Sequence, residues 1–204
     1  MSITNNLNSS KSVYDHLFGI ISGDRFLSMQ SIGNEVPFYI CPFLPEDASE
    51  MSKIQKQLSN RLNNQGVTVL TINLYDLSIE ILKEIDVWDR LLEIEQTVEK
   101  EQLKELLQGV LDPETHLVPA IAKKLEEAAG FEVLFLTGVG EVFPYIRSHN
   151  VLNNLQSTAK ERPTVIFFPG AYTHSIESGA SLDLFDRLHD DKYYRAFNIF
   201  HCEA

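Results

Sequence analysis

Cysteine is almost absent from this chain: Cys41 and Cys202 stand near opposite ends of 204 residues, and no CxxC pair occurs. That excludes a disulfide framework and a zinc knuckle, and it fits a reducing cytoplasm. Long apolar runs are missing too, none approaching the roughly 20 residues needed to cross a bilayer. The first ten residues, MSITNNLNSS, have neither a basic start nor an apolar centre, so no signal peptide is expected. Basic charge is scarce, with 17 Lys and Arg against 29 Asp and Glu, a formal charge of −12. A surface this acidic repels phosphate backbones at long range, so direct nucleic-acid binding by the isolated chain is not expected.

Catalytic signatures are equally sparse. No GxxxxGK[ST] phosphate loop exists, and after the first apolar run the chain reads Leu44-Pro45-Glu46-Asp47-Ala48, setting carboxylates where a phosphate would need amides. Gly138-Val139-Gly140 is a GxG, but Phe143 stands where a dinucleotide loop needs its third glycine, so the pair reads as a tight turn. No GxSxG, HxH or HExxH occurs. His149 and His174 follow separate strands and could join Asp76 and Glu141 in a metal or acid-base cluster. Single histidines are more often structural, so no metal, cofactor or catalytic residue is assigned. Cys41 reads as a small core residue, and Tyr193-Tyr194-Arg195 as packing at the entry to a last strand rather than a stacking platform.

What is present is a well-proportioned globular composition, 44% hydrophobic and 23% charged, suited to one domain over residues 1–204. Five apolar runs read as strands: Phe38 to Pro42, Val67 to Ile72, Val133 to Leu136, Val165 to Phe168 and Ala196 to Phe200. Met51, Ile54, Leu58 and Leu62 recur at helical spacing between Pro45 and Gly66, predicting a helix over Glu46 to Gln65. Val13, Leu17, Ile20 and Ile21 mark another before the first strand. Strand alternating with helix predicts right-handed crossovers and a three-layer α/β fold around a mainly parallel five-stranded sheet, with the P-loop-like order 5-1-4-3-2 as the candidate. Between the second and third strands lies a helical insert at about 76–130, with Asp76 as the expected cap of its first helix. From Asp76 to Ala129 it carries 14 acidic and 6 basic residues, forming either solvated helix faces or a docking surface for a basic partner. GAYTHSIESGAS, after the fourth strand, is rich in small residues and reads as a loop.

The densest polar stretch is FEVLFLTGVGEVFPYIRSHNVLNNL, Phe131 to Leu155, a strand buried on both faces running into a loop and a helix. Glu141, Arg147, His149 and Asn153 follow that strand; Asn73 and Asp76 follow the second, and Tyr172 the fourth. In open α/β sheets the carboxyl ends of the strands are where ligands and partners bind, so these seven residues are the candidate partner-binding set. Arg147 opens a helix, where a cation opposes the dipole, so either a salt bridge to Glu141 or Asp76 or a contact with a partner must hold it.

That stretch resembles the signature of the BrxB family, small proteins of the BREX bacteriophage-exclusion systems. Four more pieces stand in matching order: IGNEVPFY at Ile32 to Tyr39, INLYDL at Ile72 to Leu77, FFPGAYT at Phe167 to Thr173, and LFDRLHDDKYYRAF at Leu184 to Phe197. The resemblance implies a part in phage defence beside other BREX proteins, among them PglZ, which carries an alkaline-phosphatase-like domain. It implies no established catalysis. The expected function is therefore a non-enzymatic cytoplasmic adaptor or assembly subunit that binds PglZ or another BREX protein. The alternative is an enzyme or ligand sensor using the crevice formed by the INLYDL, GVGEVFPYIRSHN and PGAYTHS loops.

Overall fold

A strand with apolar residues at every position has two faces to bury, and the computed structural model, which describes residues 10–30, 37–175, 179–191 and 196–202, provides a core on each side. In β1 (Phe38–Phe43), Phe38 and Ile40 enter one core while Tyr39 and Cys41 enter the other. β2 (Val69–Asn73), β3 (Val133–Thr137) and β4 (Thr164–Ser175) divide in the same way: Leu134, Leu136, Ile166 and Phe168 face the first core, Val133, Phe135, Val165 and Phe167 the second. Period-two geometry with both faces covered explains the apolar runs at the centres of β1, β3 and β4, whereas the edge strand β2 leaves Thr71 exposed.

The second core is closed by α1 (Ser10–Ile21), α2 (Asp24–Leu27) and α3 (Ala48–Asn64). α3 enters through a 3₁₀ turn, Pro45–Asp47, and stops before Gly66, whose φ of +89° suits only glycine without strain. Its buried stripe is Met51, Ile54, Leu58 and Leu62, and the Arg61 guanidinium lies 3.7 Å from the Phe18 ring centroid, tying α3 to α1.

The first core is closed by the insert: α4 (Leu74–Glu84), α5 (Trp88–Ile94), α6 (Lys100–Val110) and α7 (Val118–Glu127), joined by α8 (Ser148–Leu155). Asp112 ends the α6 segment, its carboxylate accepting from the Glu114 and Thr115 amides at the head of a π-type turn, Pro113–Leu117. The cap of α4 is Asn73 rather than Asp76. The Asn73 Oδ1 accepts from the Tyr75 amide at 2.8 Å and the Asp76 amide at 3.2 Å, so the helix begins two residues before Asp76. α5 was not anticipated because it carries a single buried residue, Leu91, too little for a period to show.

With β7 (Phe197–Asn198), the parallel path runs β2-β3-β4-β1-β7, all neighbours parallel. In terms of the five expected strands this is the order 5-1-4-3-2. The last strand is shorter than expected, because Asn198 caps a 3₁₀ turn, Ile199–His201, through its bond from the Phe200 amide.

The larger correction concerns GAYTHSIESGAS. β4 continues through it to Ser175 and pairs antiparallel with β5 (Gly179–Leu184), which pairs in turn with β6 (Leu188–Asp191). Tyr172, Leu182 and Leu184 are buried, as are the small Ala180 and Ser181. Gly170 has φ +143°, and a Cβ there would overlap the Asp183 backbone carbonyl. Phe185 and Asp186 make the turn between β5 and β6 with φ of 56° and 55°. Ile32 to Val36 of the IGNEVPFY motif and the Tyr193-Tyr194-Arg195 triplet lie outside the described residues. Among those described, no helix is long and apolar enough to cross a membrane.

Candidate functional site

The carboxyl ends of β1, β2, β3 and β4 converge on one cleft of about 240 Å³. Phe43 closes it from β1, Asn73 from β2, Thr137 from β3, and Phe167 and Pro169 from β4. The loop after β3 supplies the floor from Gly138 to Glu141, and α3 supplies a wall through Ala48, Ser52 and Gln55. Steps of four and three residues lie along one side of a helix, so the cleft runs from Pro45 and Ala48 at the start of α3 along its flank to Gln55. A phosphate loop aims the helix end and its free N–H groups at the ligand; here Pro45, Glu46 and Asp47 wind that end into a 3₁₀ turn with exposed carboxylates.

The two glycines of the GxG serve packing. Gly138 takes φ +73°, and an added Cβ would come 2.5 Å from the capping Oδ1 of Asn73. At Gly140 a Cβ would sit 2.7 Å from Pro169 Cγ and 2.9 Å from Phe185 Cε1. The loop closes by the Glu141 amide donating to Gly138 O at 3.1 Å, while Val142 and Ile146 bury beneath it. Gln108 of α6 donates to Pro144 O at 2.9 Å, fastening the segment to the insert.

Of the seven sequence candidates, the structure brings Asn73 and Glu141 together in the cleft wall. Asp76 is exposed on the first turn of α4, its amide bound by Asn73. Arg147 and Asn153 are exposed on α8, with Arg147 at the N-cap position. No ion pair joins Arg147 to Glu141 or Asp76 among the described residues, so the salt bridge offered as one account of its position does not form. His149 is 4% exposed and belongs to the buried side of α8. Tyr172 is 6% exposed, and its hydroxyl donates to Ala196 O at 2.6 Å, so it binds β4 to the segment entering β7 and is not presented to a partner.

Sequence reasoning missed Ser52, Gln55 and Thr137. The first two could have been found by asking what lies beside the Met51, Ile54, Leu58 stripe of α3; Thr137 is a polar residue ending an apolar strand. Among the described residues no three His, Cys, Asp or Glu side chains converge to hold a metal ion. Cys41 is fully buried, and burial pushes its thiol far above the ordinary range.

A three-layer α/β protein with a cleft at the carboxyl edge of a P-loop-ordered sheet, walled by the flank of a helix, is the class the geometry defines. Within it, the BREX protein BrxB family matches residues 70–199 of the chain. A BREX protein BrxB of Bacillus cereus (strain H3081.97) is 31% identical over 91% of this chain and 94% of its own length. Another, of Escherichia coli O9:H4 (strain HS), is 30% identical over 88% of the chain and 86% of its own. No solved structure matches. The chain belongs to the BrxB family, whose members are proteins of BREX phage-defence systems.

Proposed function

We propose that this chain is a non-enzymatic assembly subunit of a cytoplasmic BREX system and that it binds another BREX protein, with PglZ as the leading candidate from the company that the family keeps. The observation that carries this reading is the unfinished surface at the carboxyl edge of the sheet. Leu44 is 53% exposed and Tyr75 47% exposed, each a large apolar side chain beside the cleft, and Arg147 is exposed without a carboxylate partner among the described residues. Aromatic and arginine side chains supply most anchors of protein interfaces, and Tyr75 and Arg147 stand exposed just beyond the carboxyl ends of β2 and β3. The polar lining of the cleft suits recognition, with hydroxyl and amide groups among apolar walls.

Recovery of the tagged chain from cells carrying the whole operon tests the proposal. PglZ should co-purify in near-stoichiometric amount and survive washing in moderate salt. Recovery of the chain alone, from cells in which PglZ is expressed and folded, overturns it.

A further inference from the structure

The cleft has an electrostatic sign. Among its described lining residues Glu141 is the only charged one, and no Lys, Arg or His reaches it. Glu46 and Asp47 stand exposed on the 3₁₀ turn beside it, and Asp76 on the first turn of α4, beyond Asn73. An anion entering here would meet carboxylates and no counter-charge, whereas a cation is favoured by all of them. The rest of the lining mixes uncharged polar groups, Ser52, Gln55, Asn73 and Thr137, with the partly exposed rings of Phe43 and Phe185 over the buried Val139, Phe167 and Pro169. A group that suits both features has a flat or aliphatic body and a positive head.

We infer that the cleft is a docking pocket for a basic side chain, arginine before lysine, carried on an exposed apolar-flanked loop of a partner protein. An arginine stem can lie along the partly exposed Phe43 and Phe185 rings while its guanidinium reaches the exposed Glu141 carboxylate and the side-chain oxygens of Ser52 and Gln55. A polypeptide is the occupant, rather than a free small molecule, because large exposed side chains stand next to cleft-lining residues along the chain. Leu44 lies between two lining residues, and Tyr75 lies two residues beyond Asn73; both are exposed, and a partner's backbone passing over them would cover what a small ligand leaves wet. This inference rests on the assembly reading for its partner, but not for the chemistry of the cleft.

The test has two arms. In the first, the ¹⁵N-labelled chain is titrated with benzamidine, benzoate and inorganic phosphate. Benzamidine should shift the amides of Ser52, Asn73, Gly138 and Gly140 and bind about fivefold more tightly than benzoate, the advantage that a partly exposed ion pair supplies. Glu141→Gln should remove that preference. Equal or stronger binding of benzoate or phosphate, or no shift at these amides, overturns the inference whether or not PglZ binds. In the second arm, Ala48→Trp fills the cleft from an exposed position and Glu141→Arg reverses its charge, and both chains are checked for unchanged thermal unfolding. Each should lower PglZ recovery at least about tenfold, the loss of one interface anchor. If wild type and both variants retain PglZ alike, the docking pocket is overturned and the assembly reading stands. If wild type itself fails to retain PglZ, the assembly reading falls and takes the occupant named here with it.

Discussion

The side chain of Asn73 occupies the space that any Cβ at Gly138 would need: its capping Oδ1 lies 2.5 Å from that position, and Gly138 is held at φ +73°. The end of β2 and the end of β3 are thus fitted to each other across a register that pairs Asn73 with Thr137. Gly138→Ala should cost about 2–4 kcal/mol, combining left-handed strain with displacement of the cap. Asn73→Ala should cost about 1 kcal/mol by loss of capping. Because deleting the Asn73 side chain clears the space, the double variant should be more stable than the sum of the two losses. Chemical denaturation of all four chains measures this, and strict additivity would show that the two residues are not coupled.

Tyr172 binds in the opposite direction, across β4 to the backbone before β7. Replacing it with Phe keeps the ring and removes the donor to Ala196 O, so about 1 kcal/mol should be lost. Tyr172→Ala also empties a buried site and should cost about 3 kcal/mol or more, lowering the unfolding temperature. An alanine variant that melts with wild type would contradict the burial described here.

Periodicity made the parallel sheet readable because burial on both faces leaves a continuous apolar signal, as in Val133-Leu134-Phe135-Leu136. The strand order was available only as a likeness, five strands with a long second crossover resembling P-loop proteins, because right-handed crossovers alone admit several orders. The hairpin after Pro169 was hidden for a physical reason: Gly170 is small because the Asp183 backbone fills the place of a Cβ, and a run of small residues in sequence looks like a loop. The site was half legible. Asn73 and Glu141 do line the cleft, since polar residues just beyond a buried strand have no core to enter. His149 and Tyr172 lie buried, because an amphipathic side chain beyond a strand end can as easily turn inward, and one-dimensional spacing does not register the α8 and hairpin faces that bury them.

Cys41 gives a pH dependence with a definite sign. Burial raises its thiol pKa in the folded chain above the ordinary value of 9.0, while the unfolded chain keeps that ordinary value. Below pH 9 both states hold the proton and the group is neutral to stability; above it the unfolded chain sheds its proton first, so stability falls. Between pH 8 and pH 10 the wild type should lose about 1 kcal/mol more than Cys41→Ala does. Native Cys41 should also resist a thiol reagent that labels it after unfolding. Equal alkaline slopes in the two chains would remove Cys41 as the cause.

Arg147 is where stability and function should separate. It is exposed at the N-cap position of α8, makes no side-chain capping bond, and has no ion-pair partner among the described residues. A cation there gains nothing from the helix dipole, so Arg147→Ala should leave unfolding within about 0.5 kcal/mol of wild type, on the stable side if anything. If the carboxyl edge of the sheet is the assembly surface, the same change should weaken PglZ binding by about 2 kcal/mol, near thirtyfold, and abolish phage protection. Arg147→Lys keeps the charge but not the planar fork, and should recover little if the partner group is a carboxylate or phosphate held by two parallel bonds. Titration calorimetry with purified PglZ and plaque counts on cells carrying each variant operon measure the two consequences separately. A folded Arg147→Ala chain that has lost the partner and still defends would refute assembly as the role of this surface; one that keeps the partner and loses defence would locate a chemical or sensing function in the crevice itself.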